Sequence, residues 1–198
     1  MVAAIRQAVI LAGGIGARLR PLTLDTPKPM VLVNNKPFLE YLIGLLKENG
    51  IKEVVLLLGY LPDKVKTYFG DGSKFGVGIK YSIGDVSFET GTRIKNAESM
   101  LDDYFLLMYS DNYWPLNLNN LAEFHNKRGA LATVTIYANK DSSTKNNICV
   151  DEHGYVTKYD NTRQEKGLNG VDIGFFIINK KIMDMAPRKM KKAITTSC

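Results

Sequence analysis

The stretch Leu11-Ala12-Gly13-Gly14-Ile15-Gly16-Ala17-Arg18-Leu19-Arg20-Pro21-Leu22-Thr23 follows the apolar run Ala8-Val9-Ile10-Leu11. A short apolar run that ends at glycines is typical of a buried strand. The glycines let the backbone pass close to a ligand, and their N–H groups can line a cradle for phosphate. Arg18 and Arg20 add two permanent positive charges, and an arginine fork holds phosphate through two parallel hydrogen bonds. The sequence therefore predicts an anion-binding loop after the first strand.

Two familiar glycine loops do not fit this stretch. The dinucleotide fingerprint GxGxxG requires a third glycine at position 19, which is Leu19. A P-loop requires a Gly-Lys-Ser/Thr triplet, which the sequence lacks. A tight turn from strand to helix would explain the glycines but not both arginines.

Strand-like and helix-like segments alternate along the rest of the chain. The sequence predicts further strands at 54–58, 78–82, 105–109, 131–137 and 174–179. It predicts helices at 37–49, 63–69 and 117–127, and helical spacing over 94–101. This alternation indicates an α/β fold, a Rossmann-like three-layer sandwich with a mostly parallel, mixed central sheet. A hairpin over 147–158 predicts a small antiparallel addition at one side.

Length and composition favour one folded domain. A chain of 198 residues suits a single domain of about 100–200 residues. Its 45% hydrophobic and 23% charged residues exclude a disordered or collagenous protein. No apolar stretch reaches the roughly 18 residues that cross a bilayer, and we expect no signal peptide. Cys149 and Cys198 form no CxxC pair, so we expect a cytoplasmic protein without a membrane partner.

The net charge of +6 leaves several anionic partners open. An excess of this size suits nucleic acid, an anionic surface or a phosphorylated small molecule, and it also suits a merely solvated surface. Part of it lies in the basic run 188–192, which we expect to be a solvated tail. Because the chain has no basic-aromatic stripe and no recognised nucleic-acid-binding module, we expect no nucleic-acid partner.

Two further segments place charged residues near the predicted loop. Thr26-Pro27-Lys28-Pro29-Met30 brackets a lysine with prolines, which restrict the local backbone, although such a segment is also compatible with a surface turn. Asp111 follows the strand predicted at 105–109. A carboxylate at that end of a strand, opposite a cationic loop, suits a Mg²⁺ ligand, and capping of its own turn is the alternative.

The segments Leu11 to Thr23 and Pro27-Lys28-Pro29, with Lys36-Pro37 opening the next helix, resemble the sugar-1-phosphate nucleotidyltransferases. These enzymes condense a nucleoside triphosphate with a sugar 1-phosphate and release pyrophosphate. The short chain and the run 171–176 are most similar to the small guanylyltransferases that act on heptose or mannose 1-phosphate. The resemblance implies an enzyme that uses GTP to make a nucleotide-sugar for the synthesis of lipopolysaccharide or capsule. A uridylyl- or cytidylyltransferase, or a non-catalytic regulatory subunit that binds a nucleotide-sugar, remains open.

The resemblance also implies roles for individual residues. It implies that Mg²⁺ is held by Asp111 and that catalysis uses Arg18 and Lys28. It implies a sugar site with Asp172 and Lys158. The nucleotide would be bound by Leu11, Ala12, Gly13, Gly14, Gly16 and Thr90.

Three departures from the family pattern accompany the match. The stretch 88–92 agrees with the family's nucleotide-seating motif only at Thr90 and its small neighbours. A family lysine that contacts the sugar phosphate is replaced by Lys158 or Arg163, or is not replaced. Many members carry a second metal-binding aspartate at a position beyond the one that corresponds to Cys198 of this sequence. We therefore expect residues 1–198 to form one nucleotidyltransferase domain without the family's C-terminal segment, and a homo-oligomer is open.

Overall fold

The computed structural model describes residues 4–185 of the chain, so the basic run 188–192 and Cys198 lie outside the described residues. The α-helices in this range are α1 (Phe38–Glu48), α2 (Pro62–Phe69), α3 (Thr90–Asn96), α4 (Leu118–Arg128) and α5 (Ile182–Met185). The strands are β1 (Gln7–Ala12), β2 (Leu32–Val33), β3 (Lys36–Pro37), β4 (Glu53–Leu58), β5 (Gly78–Ile83), β6 (Tyr104–Tyr109), β7 (Ala132–Tyr137), β8 (Ile148–Val150), β9 (Val156–Tyr159) and β10 (Val171–Asn179). No helix within residues 4–185 is long and apolar enough to cross a membrane.

Six strands form the central sheet in the order β5-β4-β1-β6-β10-β7. Strands β5, β4, β1 and β6 are parallel neighbours, and β10 pairs antiparallel with both β6 and β7. This mixed, mostly parallel sheet confirms the predicted fold class. Because parallel strands share one direction, the carboxyl ends of β1, β4, β5 and β6 meet at one edge of the sheet.

Helices cover both faces of the sheet. Alternate residues of a strand point to opposite faces, so Ile10 packs with α1, α2 and α4 on one side, whereas Val9 packs with α3 and α5 on the other. Helix α1 buries Leu39, Leu42 and Leu46, which recur at helical spacing. The apolar runs predicted from the sequence are therefore strands buried on both faces.

The predicted antiparallel hairpin is confirmed as β8–β9, and the structure adds an antiparallel strand within the central sheet. The hairpin β8–β9 forms a two-stranded sheet of its own, joined to β10 near its start through a bridge between Ile148 and Gly170. The antiparallel strand of the central sheet is β10, inserted between β6 and β7. It starts at Val171, three residues before the predicted start, and a bulge between Asp172 and Phe176 interrupts its pairing.

One other local prediction differs from the structure. Helix α3 ends at Asn96 and a short 3₁₀ turn over Glu98–Met100 follows, so the helical spacing over 94–101 is divided between two elements. The glycine stretch leads into a 3₁₀ turn over Ala17–Leu19 and not directly into an α-helix. These short turns satisfy backbone groups locally without the periodic apolar face that makes a longer helix recognisable.

Candidate active site

A cleft of about 290 Å³ lies at the carboxyl ends of β1 and β6. The parallel register places Leu11 beside Tyr109, so the segments that leave the two strands begin next to each other. The structure thereby brings together most of the residues that the sequence singled out for the phosphates and the metal. The cleft is lined by Leu11, Ala12, Gly14, Gly16, Ala17, Arg18, Leu19, Lys28, Pro29, Tyr109, Ser110 and Asp111.

The glycine stretch folds back on itself at Gly16. This residue has a φ of 63°, and the Thr23 hydroxyl donates to its carbonyl at 2.9 Å. A Cβ atom at Gly16 would lie 3.1 Å from both the Cβ of Lys28 and the Cγ2 of Thr23. Glycine is therefore required for its backbone conformation and also for the close approach of the segment that carries Lys28.

Hydrogen-bond donors of the loop are available to a ligand. Among residues 4–185, the backbone N–H groups of Gly14, Ile15 and Gly16 have no hydrogen-bond partner. The exposed side chain of Arg18 likewise has no hydrogen-bond or ion-pair partner within the described range. Successive free N–H groups beside a guanidinium form a concave site that suits an anion.

Lys28 and Asp111 face each other across the cleft. Lys28 opens a 3₁₀ turn over Lys28–Met30, and the buried Pro29 and Met30 fix that turn to the core. The Lys28 ammonium forms an ion pair with the Asp111 carboxylate. Both side chains keep part of their surface exposed, 29% for Lys28 and 39% for Asp111, so a ligand can reach them.

Four predicted site residues lie outside this cleft lining. Gly13 is buried behind the turn, and Thr90 is the half-buried first residue of α3. Lys158 forms an ion pair with Glu165, and the neighbouring Tyr159 contacts Asp172. Because successive side chains of a strand alternate, Lys158 points to the face of β9 opposite Asp172. The structure therefore does not bring Lys158 and Asp172 together.

Asp172 lies in a buried polar cluster beside the cleft. Its carboxylate accepts hydrogen bonds from the Tyr159 hydroxyl at 2.5 Å and from the Gly174 N–H at 2.7 Å. Burial raises the pKa of the Asp172 carboxyl, and the bonds from Tyr159 and Gly174 partly oppose that rise. The Asn112 amide links this cluster to the end of β6 by donating to the Ile173 carbonyl at 2.9 Å.

One charged residue at this edge of the sheet was not predicted from the sequence. Arg93 in α3 is buried, and its guanidinium donates to the carbonyl of Gly13 behind the glycine turn. A single arginine next to the apolar positions of a helix gives no periodic signal that separates it from a solvated residue. The burial of Arg93 becomes evident only in the folded structure, where Gly13 and Gly59, which are far apart in sequence, both lie against its guanidinium.

The fold and the cleft define a class of protein. The chain is a three-layer α/β protein with a glycine loop, two cations and a carboxylate at the carboxyl edge of its parallel strands, where nucleotide-binding α/β proteins hold their ligands. The family model described as nucleotidyl transferase matches residues 7–196. The chain belongs to this family, that of the sugar-1-phosphate nucleotidyltransferases.

The names of relatives in the family specify different nucleotides. The chain is 32% identical to the D-glycero-alpha-D-manno-heptose 1-phosphate guanylyltransferase of Campylobacter jejuni, over 90% of this chain and 78% of the relative. It is 30% identical to the UTP–glucose-1-phosphate uridylyltransferase of Synechocystis sp., over 91% of this chain and 51% of the relative. The chain thus spans about half the length of the latter. Other relatives at similar identity are named cytidylyltransferases and mannose-1-phosphate guanylyltransferases.

A solved structure shares the fold over most of the chain. The structure of HddC from Yersinia pseudotuberculosis, complexed with GMP-PN, superimposes with a TM-score of 0.77 at 27% identity. The match covers 93% of this chain and 81% of HddC.

Proposed function

We propose that this protein transfers a nucleoside monophosphate from a nucleoside triphosphate to a sugar 1-phosphate. GTP is the favoured nucleotide, and a heptose or mannose 1-phosphate is the favoured sugar. The observation that carries the proposal is the cleft in which Arg18, Lys28 and Asp111 lie beside the free N–H groups of the glycine loop. Family membership supplies the reaction type.

The reaction joins two phosphate groups, so the protein acts mainly by positioning and by neutralising charge. A phosphate oxygen of the sugar 1-phosphate attacks the α-phosphorus in line and forms the new P–O bond. The bond between the α-phosphorus and the bridging oxygen breaks, and pyrophosphate leaves with that electron pair. Arg18 and the loop N–H groups stabilise the charge on the departing pyrophosphate. Lys28 stabilises the charge that develops on the α-phosphate.

The donor set at Asp111 fits a magnesium ion that is bound together with the nucleotide. Residues 4–185 contain no cluster of three or more side chains from Asp, Glu, His and Cys that would hold a metal by itself. Mg²⁺ commonly takes one or two carboxylates and completes its shell with phosphate oxygens and water. Asp111 is the carboxylate that would hold it here, and the ion would neutralise phosphate charge. With the ion held at Asp111, Lys28, which is paired with Asp111 in the absence of ligand, would be available to the α-phosphate.

The residues predicted for the sugar site have partners within the protein. Both oxygens of Asp172 already accept hydrogen bonds from Tyr159 and Gly174, so sugar binding at Asp172 would compete with these partners. Lys158 points to the other face of the hairpin and is paired with Glu165. Thr90 remains a candidate for the nucleotide through its place at the start of α3.

The preference for GTP is supported by relatives that are guanylyltransferases by name. The Campylobacter heptose enzyme shares 32% identity and 78% of its length with the chain, and HddC was solved with a guanosine nucleotide analogue. The uridylyl- and cytidylyltransferases at 30% and 31% identity make those nucleotides the alternatives. The residues of the cleft contact phosphates and do not distinguish the bases.

The proposal is tested by pyrophosphate release over a panel of nucleoside triphosphates and sugar 1-phosphates, each with and without Mg²⁺. We expect release that requires Mg²⁺ and is fastest for GTP with heptose or mannose 1-phosphate. Faster turnover of UTP or CTP would replace the nucleotide assignment and leave the reaction type standing. If no pair turns over while a nucleotide-sugar binds, the protein is the non-catalytic regulatory subunit.

A further inference from the structure

Arg93 is a buried cation directly behind the glycine loop. It is 7% exposed, and its guanidinium donates to four backbone carbonyls. Nη1 contacts Leu58 at 3.1 Å, while Nη2 contacts Asp85 and Val86, each at 2.9 Å, and Gly13 at 3.3 Å. Arg93 does not line the cleft, so its role differs from that of Arg18.

The four carbonyls lie at the carboxyl ends of three strands. Gly13 follows β1, Leu58 is the last residue of β4, and Asp85 and Val86 follow β5. One side chain therefore joins the glycine loop to the end of β4 and to the loop after β5. Burial lowers the pKa of Arg93, and the charge of Asp85 opposes this fall. The carbonyls supply the hydrogen bonds that a buried guanidinium requires.

Two glycines provide the space for this guanidinium. A Cβ atom on Gly13 would lie 2.3 Å from the Cζ atom of Arg93, and a Cβ atom on Gly59 would lie 2.8 Å from its Nη1 atom. Neither glycine has a positive φ. The two positions are therefore restricted by space rather than by backbone conformation, and Arg93, Gly13 and Gly59 form one packed unit.

The hydrogen bond to Gly13 determines the direction of the next N–H group. The Gly13 carbonyl accepts from the Tyr60 N–H at 3.3 Å as well as from Arg93. The peptide bond between Gly13 and Gly14 is trans, because the cis peptide bond recorded for residues 4–185 is the one at Arg20-Pro21. In a planar trans peptide the C=O and the following N–H point in opposite directions. The Gly14 N–H therefore points away from Arg93, and Gly14 lines the cleft.

We propose that Arg93 is a positioning residue that aims the Gly14 N–H group at the phosphates of the nucleotide. It holds the Gly13 carbonyl from behind, and the rigid peptide transmits that orientation to the cleft. This inference rests on the proposed function, because it takes the ligand of the cleft to be a polyphosphate. Arg93 itself does not touch the substrate.

The test measures binding of inorganic tripolyphosphate with Mg²⁺ by calorimetry, since this probe has phosphates but no base. We expect Arg93→Ala to weaken binding by about tenfold, because a hydrogen bond to a charged group contributes on the order of 1.5 kcal/mol. In turnover, KM for the nucleoside triphosphate should rise while KM for the sugar 1-phosphate stays unchanged. Equal binding by Arg93→Ala and wild type would overturn the inference.

Gln7→Ala is the matched control for lost stability. Gln7 is also buried, and its side chain exchanges hydrogen bonds with Glu53, Met100 and Asp102 at the opposite edge of the sheet. Its removal should lower the melting temperature without changing tripolyphosphate binding. If Gln7→Ala weakens binding as much as Arg93→Ala does, the effect of Arg93 is one of general stability and the inference fails.

A second variant keeps the test decisive if Arg93→Ala does not fold. Gly13→Ala places a methyl group where the guanidinium lies, so we expect it to displace Arg93 and to weaken tripolyphosphate binding by a similar factor. Where both single variants fold, the double variant should bind no more weakly than Arg93→Ala, because the methyl group then fills vacated space. Wild-type binding by Gly13→Ala, or additive losses in the double variant, would overturn the inference.

The outcomes separate this inference from the proposed function. If wild type binds tripolyphosphate and turns over substrate but Arg93→Ala binds equally well, the inference fails and the function stands. If wild type binds tripolyphosphate without any turnover, the catalytic proposal fails while the role of Arg93 is still decided by the variants. If wild type binds no tripolyphosphate, both fail.

Discussion

At the scale of single residues, the two cations of the cleft differ in what holds them. Arg18 is exposed and has no polar partner within residues 4–185, whereas Lys28 is paired with Asp111 on a turn anchored by Pro29 and Met30. In the proposed reaction, a free guanidinium can follow the departing pyrophosphate, and an anchored lysine can meet the α-phosphate with little loss of entropy. This difference gives each cation its own test.

The first test replaces Arg18. We expect Arg18→Ala to lower kcat by a factor of about 10²–10³, the usual loss when one donor to a developing charge is removed. The melting temperature should stay unchanged because the Arg18 side chain makes no hydrogen bond or ion pair with the described part of the chain. Steady-state pyrophosphate release and thermal unfolding measure the two quantities.

Arg20→Ala is the matched control for Arg18. It removes an equal charge from the same loop, but Arg20 does not line the cleft. We expect at most a small fall in kcat from this variant. Equal losses from both variants would show that the loop acts through its overall charge and would contradict a specific role for Arg18.

The second test concerns the ion pair between Lys28 and Asp111. We expect Lys28→Met to strengthen the weak binding of Mn²⁺ to Asp111 in the substrate-free protein, because the metal no longer competes with the ammonium for this single carboxylate. An exposed ion pair contributes about 0.2–1 kcal/mol, which corresponds to a gain of about 1.5- to 5-fold in affinity. The same variant should turn over more slowly. Calorimetric titration with Mn²⁺ gives the affinity.

Two further variants serve as a test of the metal ligand and as a control for Lys28→Met. Asp111→Asn should abolish the Mn²⁺ binding that Lys28→Met strengthens. Lys36→Met removes a lysine that pairs with Glu40 outside the cleft and should leave Mn²⁺ affinity as in wild type. Unchanged affinity in Lys28→Met would mean that the ammonium does not compete with the metal, and unchanged affinity in Asp111→Asn would mean that Asp111 is not the metal ligand.

At the scale of elements, the parallel pairing of β1 with β6 creates the cleft. The sequence predicted both strands and the charged residues that follow them, and the pairing order explains why residues 11–18 and 109–111 meet. The sequence did not predict that β10 would be inserted antiparallel next to β6, because its bulge at Asp172 and Gly174 hides the start of the strand. Asp172 was therefore predicted as a site residue without its partner Tyr159.

Helix α4 and strand β7 are joined by a buried histidine, which makes their packing sensitive to pH. The His125 Nδ1 atom lies 2.8 Å from the Thr133 hydroxyl, as expected of a core histidine with its hydrogen bond satisfied. Burial lowers the pKa of His125 in the folded state. The unfolded state therefore takes up a proton at a higher pH, and the free energy of unfolding must fall as the pH drops below about 6.5.

This dependence predicts the behaviour of a His125 variant. The free energy of unfolding of wild type should fall between pH 7 and pH 5, and His125→Gln should reduce that slope because it removes the titrating group. His153→Gln is the control, since His153 is exposed at the β8–β9 turn and 71% of its side chain is accessible. Denaturant unfolding at three pH values measures the slopes. Equal slopes for wild type and His125→Gln would contradict the assignment.

At the scale of the whole molecule, ligand binding must appear as added stability. A ligand that binds only the folded state at a concentration of 100 times its Kd adds about 2.7 kcal/mol. For a chain of 150–250 residues, each kcal/mol raises the melting temperature by about 2–4 °C. We therefore expect GTP with Mg²⁺ to raise the melting temperature by about 5–10 °C, and UTP or CTP at the same concentration to raise it less.

The same thermal measurement separates contacts to phosphate from contacts to the base. Arg18→Ala should reduce the shift by a similar amount for all three nucleotides, because Arg18 lies at the glycine loop that we propose to bind the phosphates. A larger shift with UTP or CTP than with GTP in wild type would reassign the nucleotide. The family membership would be unaffected, since relatives at about 30% identity include all three kinds of enzyme by name.

The sequence alone determined the family, the alternation of strands and helices, and the loop, lysine and aspartate of the cleft. These features are local: each is written in a short run of residues whose types and spacing dictate its conformation and charge. The tertiary structure decided the insertion of β10, the separation of Lys158 from Asp172 and the place of Arg93 behind the glycine loop. Such features depend on contacts between residues as far apart as Gly13 and Arg93, and short-range patterns carry no information about which distant segments will pack together.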